Sequence, residues 1–284
     1  MKVHLLLAAV VWCLVLVAVL NGLCDRTPGK PQEYLTPRGE QAMLHGSGLY
    51  RFDPAPLAME GMVWDAVNLA VGLPLLALAI IAAWRGSLRG RVLLAGLLFY
   101  FFYTYFQLFT MYAFNRMFLV YVGVVALSGV AFFLTLATID VPRLGAHVGS
   151  GFPRRLFIGF AFAVSLLLVV LWMARIVPIM RSGRFPPELA GLTTLTTQGF
   201  DLGLVVPLFL CTGILLLRRS AWGYLLTGVC LGYALVMSIT LPAWIVYPMV
   251  KEGSLRLVEA VPFGAISLVG ITLAVLFFRH LREG

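Results

Sequence analysis

Asp65 and Asn68 stand three positions apart near the start of one long apolar run, and Gln198 and Asp201 stand three apart near the start of another. Positions i and i+3 share a helix face, so each pair presents a carboxylate beside a primary amide. Such a pair can hold a cation, accept hydrogen bonds from a polar ligand, or cap a helix whose N-terminal dipole favours a carboxylate. An unpaired charge at the edge of hydrocarbon costs on the order of a few kcal/mol, so these acids need a partner, water or a proton. Candidate company is Gln107, Asn115, Arg116, Arg175, Thr240 and Tyr247, which the sequence places in the same half of their runs. With Asp65, Asn68, Gln198 and Asp201 they make up the candidate ligand-binding set. Two aromatic stripes at helical spacing, Tyr100–Tyr103–Gln107 and Tyr233–Met237–Thr240–Trp244–Tyr247, lie near these groups, and packing is their plainest explanation.

Other chemistries lack their residues. The histidines (His4, His45, His147, His280) fall in termini and loops, which argues against a bis-histidine haem site. Cys13, Cys24, Cys211 and Cys230 have no CxxC spacing and read as packing residues. HExxH, GxSxG, phosphate-loop and dinucleotide motifs are missing. No metal, cofactor or catalytic residue is implied, and the expectation is a protein that is not an enzyme.

The elements that position the candidate residues follow from composition. Of 284 residues 61% are hydrophobic and 12% charged, and mean hydropathy is +0.96, far outside the range of soluble domains. A helix needs about 20 apolar residues to cross hydrocarbon. Eight runs meet that length: roughly 4–24, 61–84, 92–114, 117–139, 156–179, 201–217, 221–247 and 258–278. Unbroken apolar runs exclude the alternation of a membrane barrel, so the fold class is all-α, a polytopic membrane protein of eight transmembrane helices. Asp65 and Asp201 then lie shallow, about a turn from their span starts. Pro178, Pro242 and Pro248 mark the ends or bends of spans five and seven.

The net charge of +9 does not indicate nucleic acid, because the basic residues alternate between loops. Lys2, Arg85, Arg89, Arg91, Arg143, Arg154, Arg155, Arg218, Arg219, Arg279 and Arg282 fall on one side. The other side holds Arg116, Arg181, Arg184, Lys251 and Arg256 in its short loops, and most of the acids. The positive-inside rule puts both termini in the cytoplasm. The 25–60 loop, rich in proline and acids, is then external, either a connector or a cap over an outer-facing cavity.

Residues 65–107 align without a gap on 198–240, with ten identities in 43 positions, among them Pro74/Pro207, Arg85/Arg218, Ser87/Ser220, Gly90/Gly223 and Tyr100/Tyr233. This predicts two duplicated four-helix halves, 1–139 and 156–284, joined by a Gly/Pro-rich linker at 140–155. The passages RGSLRGRVLLAGLLFYFFYTY, NRMFLVYVGVVALS and FDLGLVVPLFLCTGILLLRRSAWGYLL resemble a group of bacterial multi-pass membrane proteins with a GLYR-type segment before the second span. The resemblance implies a bacterial inner-membrane protein and brings no activity or residue role.

The expected partners are the lipid bilayer and a small molecule or ion bound, or transported, from the outer side. The alternatives are an accessory scaffold whose polar cluster is structural and whose outer loop binds a partner, and a membrane enzyme acting on a lipid-linked substrate.

Overall fold

The structure, a computed structural model, describes residues 2–36, 38–149, 151–183, 189, 191–252 and 257–283. Among these the chain is helical apart from one hairpin. Helix α1 spans Val3–Cys24, and β1 (Gln32–Leu35) pairs antiparallel with β2 (Gln41–Leu44). Helices α2 (Ala55–Trp84), α3 (Leu88–Met111) and α4 (Phe118–Ala137) follow, then the short α5 (Val141–His147). The chain continues with α6 (Arg154–Ser182), α7 (Thr196–Leu217), α8 (Ala221–Glu252) and α9 (Leu257–His280). Seven of these, α1–α4 and α6–α8, are long and apolar enough to cross a membrane. The described apolar part of α9, Gly264–His280, is shorter.

Several expectations need correction. Helix α2 begins at Ala55 rather than near 61, because Pro54 and Pro56 sit where a helix has no hydrogen bond to lose. Asp65 therefore lies ten residues into the helix, about 15 Å along its axis, and is deep rather than shallow. Pro178, Pro242 and Pro248 do not end their helices; α6 runs on to Ser182 and α8 to Glu252. Packed helices tolerate such breaks in hydrogen bonding where neighbours satisfy the freed groups. The linker at 140–155 contains α5, capped by the Asp140 carboxylate on the Arg143 N–H. Arg184 and Arg256 lie outside the described residues.

Two helices widen in the same way. A π-helical turn occupies Asn68–Gly72 in α2 and Asp201–Val205 in α7. Each is followed two residues later by proline, Pro74 and Pro207. A proline ring crowds the carbonyl four residues back and brings no N–H, and one widened turn relieves both conflicts. After the π turns the α-helical backbone resumes over Leu73–Trp84 and Val206–Leu217, and the next helices begin at Leu88 and Ala221. Each boundary in the second set is the first plus 133, the offset of the sequence alignment. The turn between helices repeats too: Gly86 has φ 89°, and Arg219, its counterpart, is the one non-glycine residue with positive φ (55°) among the described residues.

Helix α3 is the hub, with 78% of its most apolar stretch buried against 17% for α6. It packs on α2, α4 and α8. Gly96 and Gly232 let α3 and α8 touch backbone to backbone: a Cβ on Gly232 would come within 2.8 Å of the Gly96 Cα. Helix α1 packs on both α2 and α4, which closes the first four helices into a bundle. In the second set α6 packs on α7, α7 on α8 and α8 on α9, yet α6 and α9 form no extensive contact among the described residues. That gap positions the site.

Candidate functional site

A cavity of about 500 Å³ lies in the gap, walled by α2, α6, α7, α8 and α9 with Tyr103 and Met111 of α3 behind. Its character changes along its length. Toward α7 and the middle of α8 the lining is apolar: Phe160, Val164 and Leu168 of α6, Val205 and Phe209 of α7, Ala234, Met237 and Leu241 of α8. Toward the end that bears the hairpin it collects Glu60, Trp64, Trp172, Arg175, Thr197, Gln198, Asp201 and Trp244. A hollow of about 390 Å³ beneath the hairpin shares Pro54, Met111, Leu192, Thr194 and Thr196 with it.

Asp201 opens the π turn of α7 and is buried, its carboxylate held from two sides. Tyr103 Oη donates to Oδ1 at 2.6 Å and Trp172 Nε1 to Oδ2 at 2.9 Å. The Arg175 guanidinium, one helical turn further along α6, lies over the Trp172 ring at 5.4 Å. Glu60 is on α2, exposed where it lines the cavity, and its carboxylate forms no ion pair among the described residues. Trp244 packs edge-on to Trp64 at 5.2 Å and donates to the Glu60 carbonyl at 3.4 Å. Trp64 is 1% exposed, and its indole N–H has no acceptor among the described residues.

Of the residues expected to share a site, Arg175, Gln198 and Asp201 come together here. Gln107 is one step behind: its Oε1 accepts from Thr197 Oγ1 at 2.8 Å, while its Nε2 is buried without a partner among the described residues. The others are elsewhere. Asp65 is 2% exposed on the opposite side of α2, where Tyr50 Oη donates to it at 2.6 Å and Gly22 of α1 leaves it room. Asn68 accepts from Tyr100 Oη at 2.9 Å. Asn115 Oδ1 accepts from the Met117 N–H in the turn before α4, and Arg116 pairs with Asp25 at 3.2 Å and donates to Asn21 at 3.0 Å. Thr240 donates to the Val236 carbonyl within its own helix, and Tyr247 does not line the cavity. Glu60, Trp64, Trp172 and Trp244 were missed as site residues. Glu60 sits in a stretch that reads as loop; the tryptophans carried an aromatic signal that packing explains equally well.

The loop between α1 and α2 is tied to the rest of the chain at two points. Asp53 Oδ1 accepts from the Ala113 N–H at 2.6 Å, and Arg38 donates to the Leu192 carbonyl at 2.7 Å. Burial raises the Asp53 carboxyl to about 7, against the lowering effect of the Ala113 hydrogen bond. Hydrogen bonds from Thr27 hold the Asp25 carboxyl below its ordinary value, with Arg116 acting in the same direction. Among the described residues no cluster of His, Cys, Asp or Glu has metal-binding geometry. Comparison with protein-family models, curated proteins and solved structures finds no match.

Proposed function

We propose that this chain is a bacterial inner-membrane protein that binds, and through that binding senses or transports, a small organic molecule taken in at the hairpin end. The supporting observation is the polarity of the cavity: charged groups and indoles gather at one end of an otherwise apolar chamber of about 500 Å³. The hairpin end is read as external, with both termini and the arginine-rich loops in the cytoplasm. On this reading α9 is an eighth span and the two halves, 1–139 and 156–284, descend from a duplication. The recurrence of the π turns and helix starts at one offset supports that history. The second half has kept open the space that α1 and α4 close in the first.

The test is chemical analysis of what co-purifies. Extracts of wild-type protein should contain an organic molecule at near-stoichiometric level that is depleted from Val164→Phe and Ala234→Phe, both of which fill the cavity. Identical extracts from all three, each folded, would end the binding reading. A structural reading has its own support, since the Asp65 and Asp201 carboxylates already have donors within the protein. It requires Asp201→Asn to lower thermal stability without changing the extract.

A further inference from the structure

We propose that the ligand is a zwitterionic phospholipid entering sideways from the bilayer between α6 and α9, an inference that rests on the cavity being the binding site. Three observations carry it. The first is the entrance. Leu167 and Leu171 of α6 and Ile266 of α9 line the cavity and are themselves exposed, at 49%, 38% and 42%. Part of the cavity wall is thus a surface that faces hydrocarbon in a membrane, and a hydrophobic molecule reaches the interior without crossing water. The second is length. Along α6 the lining runs from Phe160 to Arg175, a rise of about 22 Å, which suits a chain-shaped rather than a compact ligand.

The third is the pair of charges at the head of the slot. Glu60 and Arg175 both line it, and neither forms an ion pair with the other or with any described residue. Charges left apart at the edge of hydrocarbon are satisfied by a ligand carrying both signs, separated. An ammonium meets Glu60 beside the Trp64–Trp244 pair, where an indole face favours a cation. The phosphate meets Arg175, whose planar donors suit phosphate oxygens. The buried Trp64 N–H, which has no acceptor among the described residues, adds a donor at the same end. A fatty acid or anionic lipid would leave Glu60 uncompensated; a hydrophobic amine would leave Arg175 so.

The experiment is native mass spectrometry of the full chain released from micelles. These would contain equal amounts of phosphatidylethanolamine and phosphatidylglycerol with identical acyl chains. The expected result is retention of phosphatidylethanolamine over phosphatidylglycerol by about tenfold, the ratio that one charge-assisted contact supplies. Glu60→Gln should bring the ratio near one by raising phosphatidylglycerol retention, and Arg175→Gln should lower retention of both lipids. Val164→Phe and Ala234→Phe should abolish retention whatever the head group. Equal or reversed selectivity in the wild type, with retention still lost on filling the cavity, overturns the zwitterion while leaving the cavity a binding site. Retention unaffected by either filling variant overturns both. If one filling variant misfolds, as its melting curve will show, the other decides.

Discussion

At the scale of single residues, the deepest carboxylate depends on one tyrosine. Tyr50 Oη reaches Asp65 from the loop before α2, and both groups are buried. Tyr50→Phe should cost about 1–3 kcal/mol, because it strips a donor from a buried acid. Asp65→Asn should cost less, since the amide oxygen still accepts from Tyr50. A double-mutant cycle read by thermal unfolding in detergent should show the two changes strongly coupled; additive costs would mean that the contact contributes nothing. Asp53 gives a pH signature. Its carboxyl is raised to about 7, so its contribution to stability is full below about pH 4, where both folded and unfolded states are protonated. That contribution is lost as pH climbs through 7. The melting temperature should therefore fall between about pH 5 and pH 8 in wild type and lose much of that slope in Asp53→Asn, whose amide oxygen can still accept from the Ala113 N–H. Equal slopes would contradict the assignment. None of this was legible in the sequence beyond the acids themselves. Tyr50 and Ala113 are partners by folding, and no helical period links them to residues 65 and 53.

At the scale of elements, the sequence located the helices and misjudged their ends. Hydropathy falls at Glu60 and in the proline-rich stretch before it, so the first two turns of α2 read as loop, and Glu60 was lost from the candidate site. Helix starts are set by capping and proline tolerance, which average hydropathy does not register. The π turns were likewise invisible as such, although Pro74 and Pro207, which accompany them, were among the matches that define the repeat. The repeated turn between helices yields a prediction. Gly86 adopts its left-handed conformation freely, whereas Arg219 does so against a Cβ clash. Arg219→Gly should raise stability by about 1 kcal/mol, seen as a higher melting temperature. The reverse change, Gly86→Arg, should lower it by a similar amount. An Arg219→Gly variant less stable than wild type would mean that the arginine side chain contributes more than its backbone strain costs.

At the scale of the whole molecule, the order of spans and the charge asymmetry were legible because both are written in composition. The cavity was not, because it arises where α6 and α9, elements separated by two intervening helices, diverge beyond their contact at Phe157 and Phe277. The pairing of Asp65 with Asp201 in one chamber followed from the repeat. The structure separates the two: Asp65 meets Tyr50 and Gly22 of α1, and Asp201 meets Tyr103 and Trp172. Topology is tested by thiol labelling of intact cells. A membrane-impermeant reagent should label Cys24, which is exposed at the hairpin end, or a single cysteine replacing Ser47. It should leave a cysteine in place of Ser87 unlabelled. The opposite pattern would invert the orientation and put the hairpin in the cytoplasm.

The most direct measurement is an experimental density map of the full chain, purified without lipid exchange, at a resolution that shows side chains and bound molecules. Elongated density is expected between α6 and α8. Its head should lie at Glu60, Trp244 and Arg175 and its tail along Val164 and Phe209. A cavity holding only ordered water, or collapsed by contact of Leu167 and Leu171 of α6 with Ile266 of α9, would contradict it.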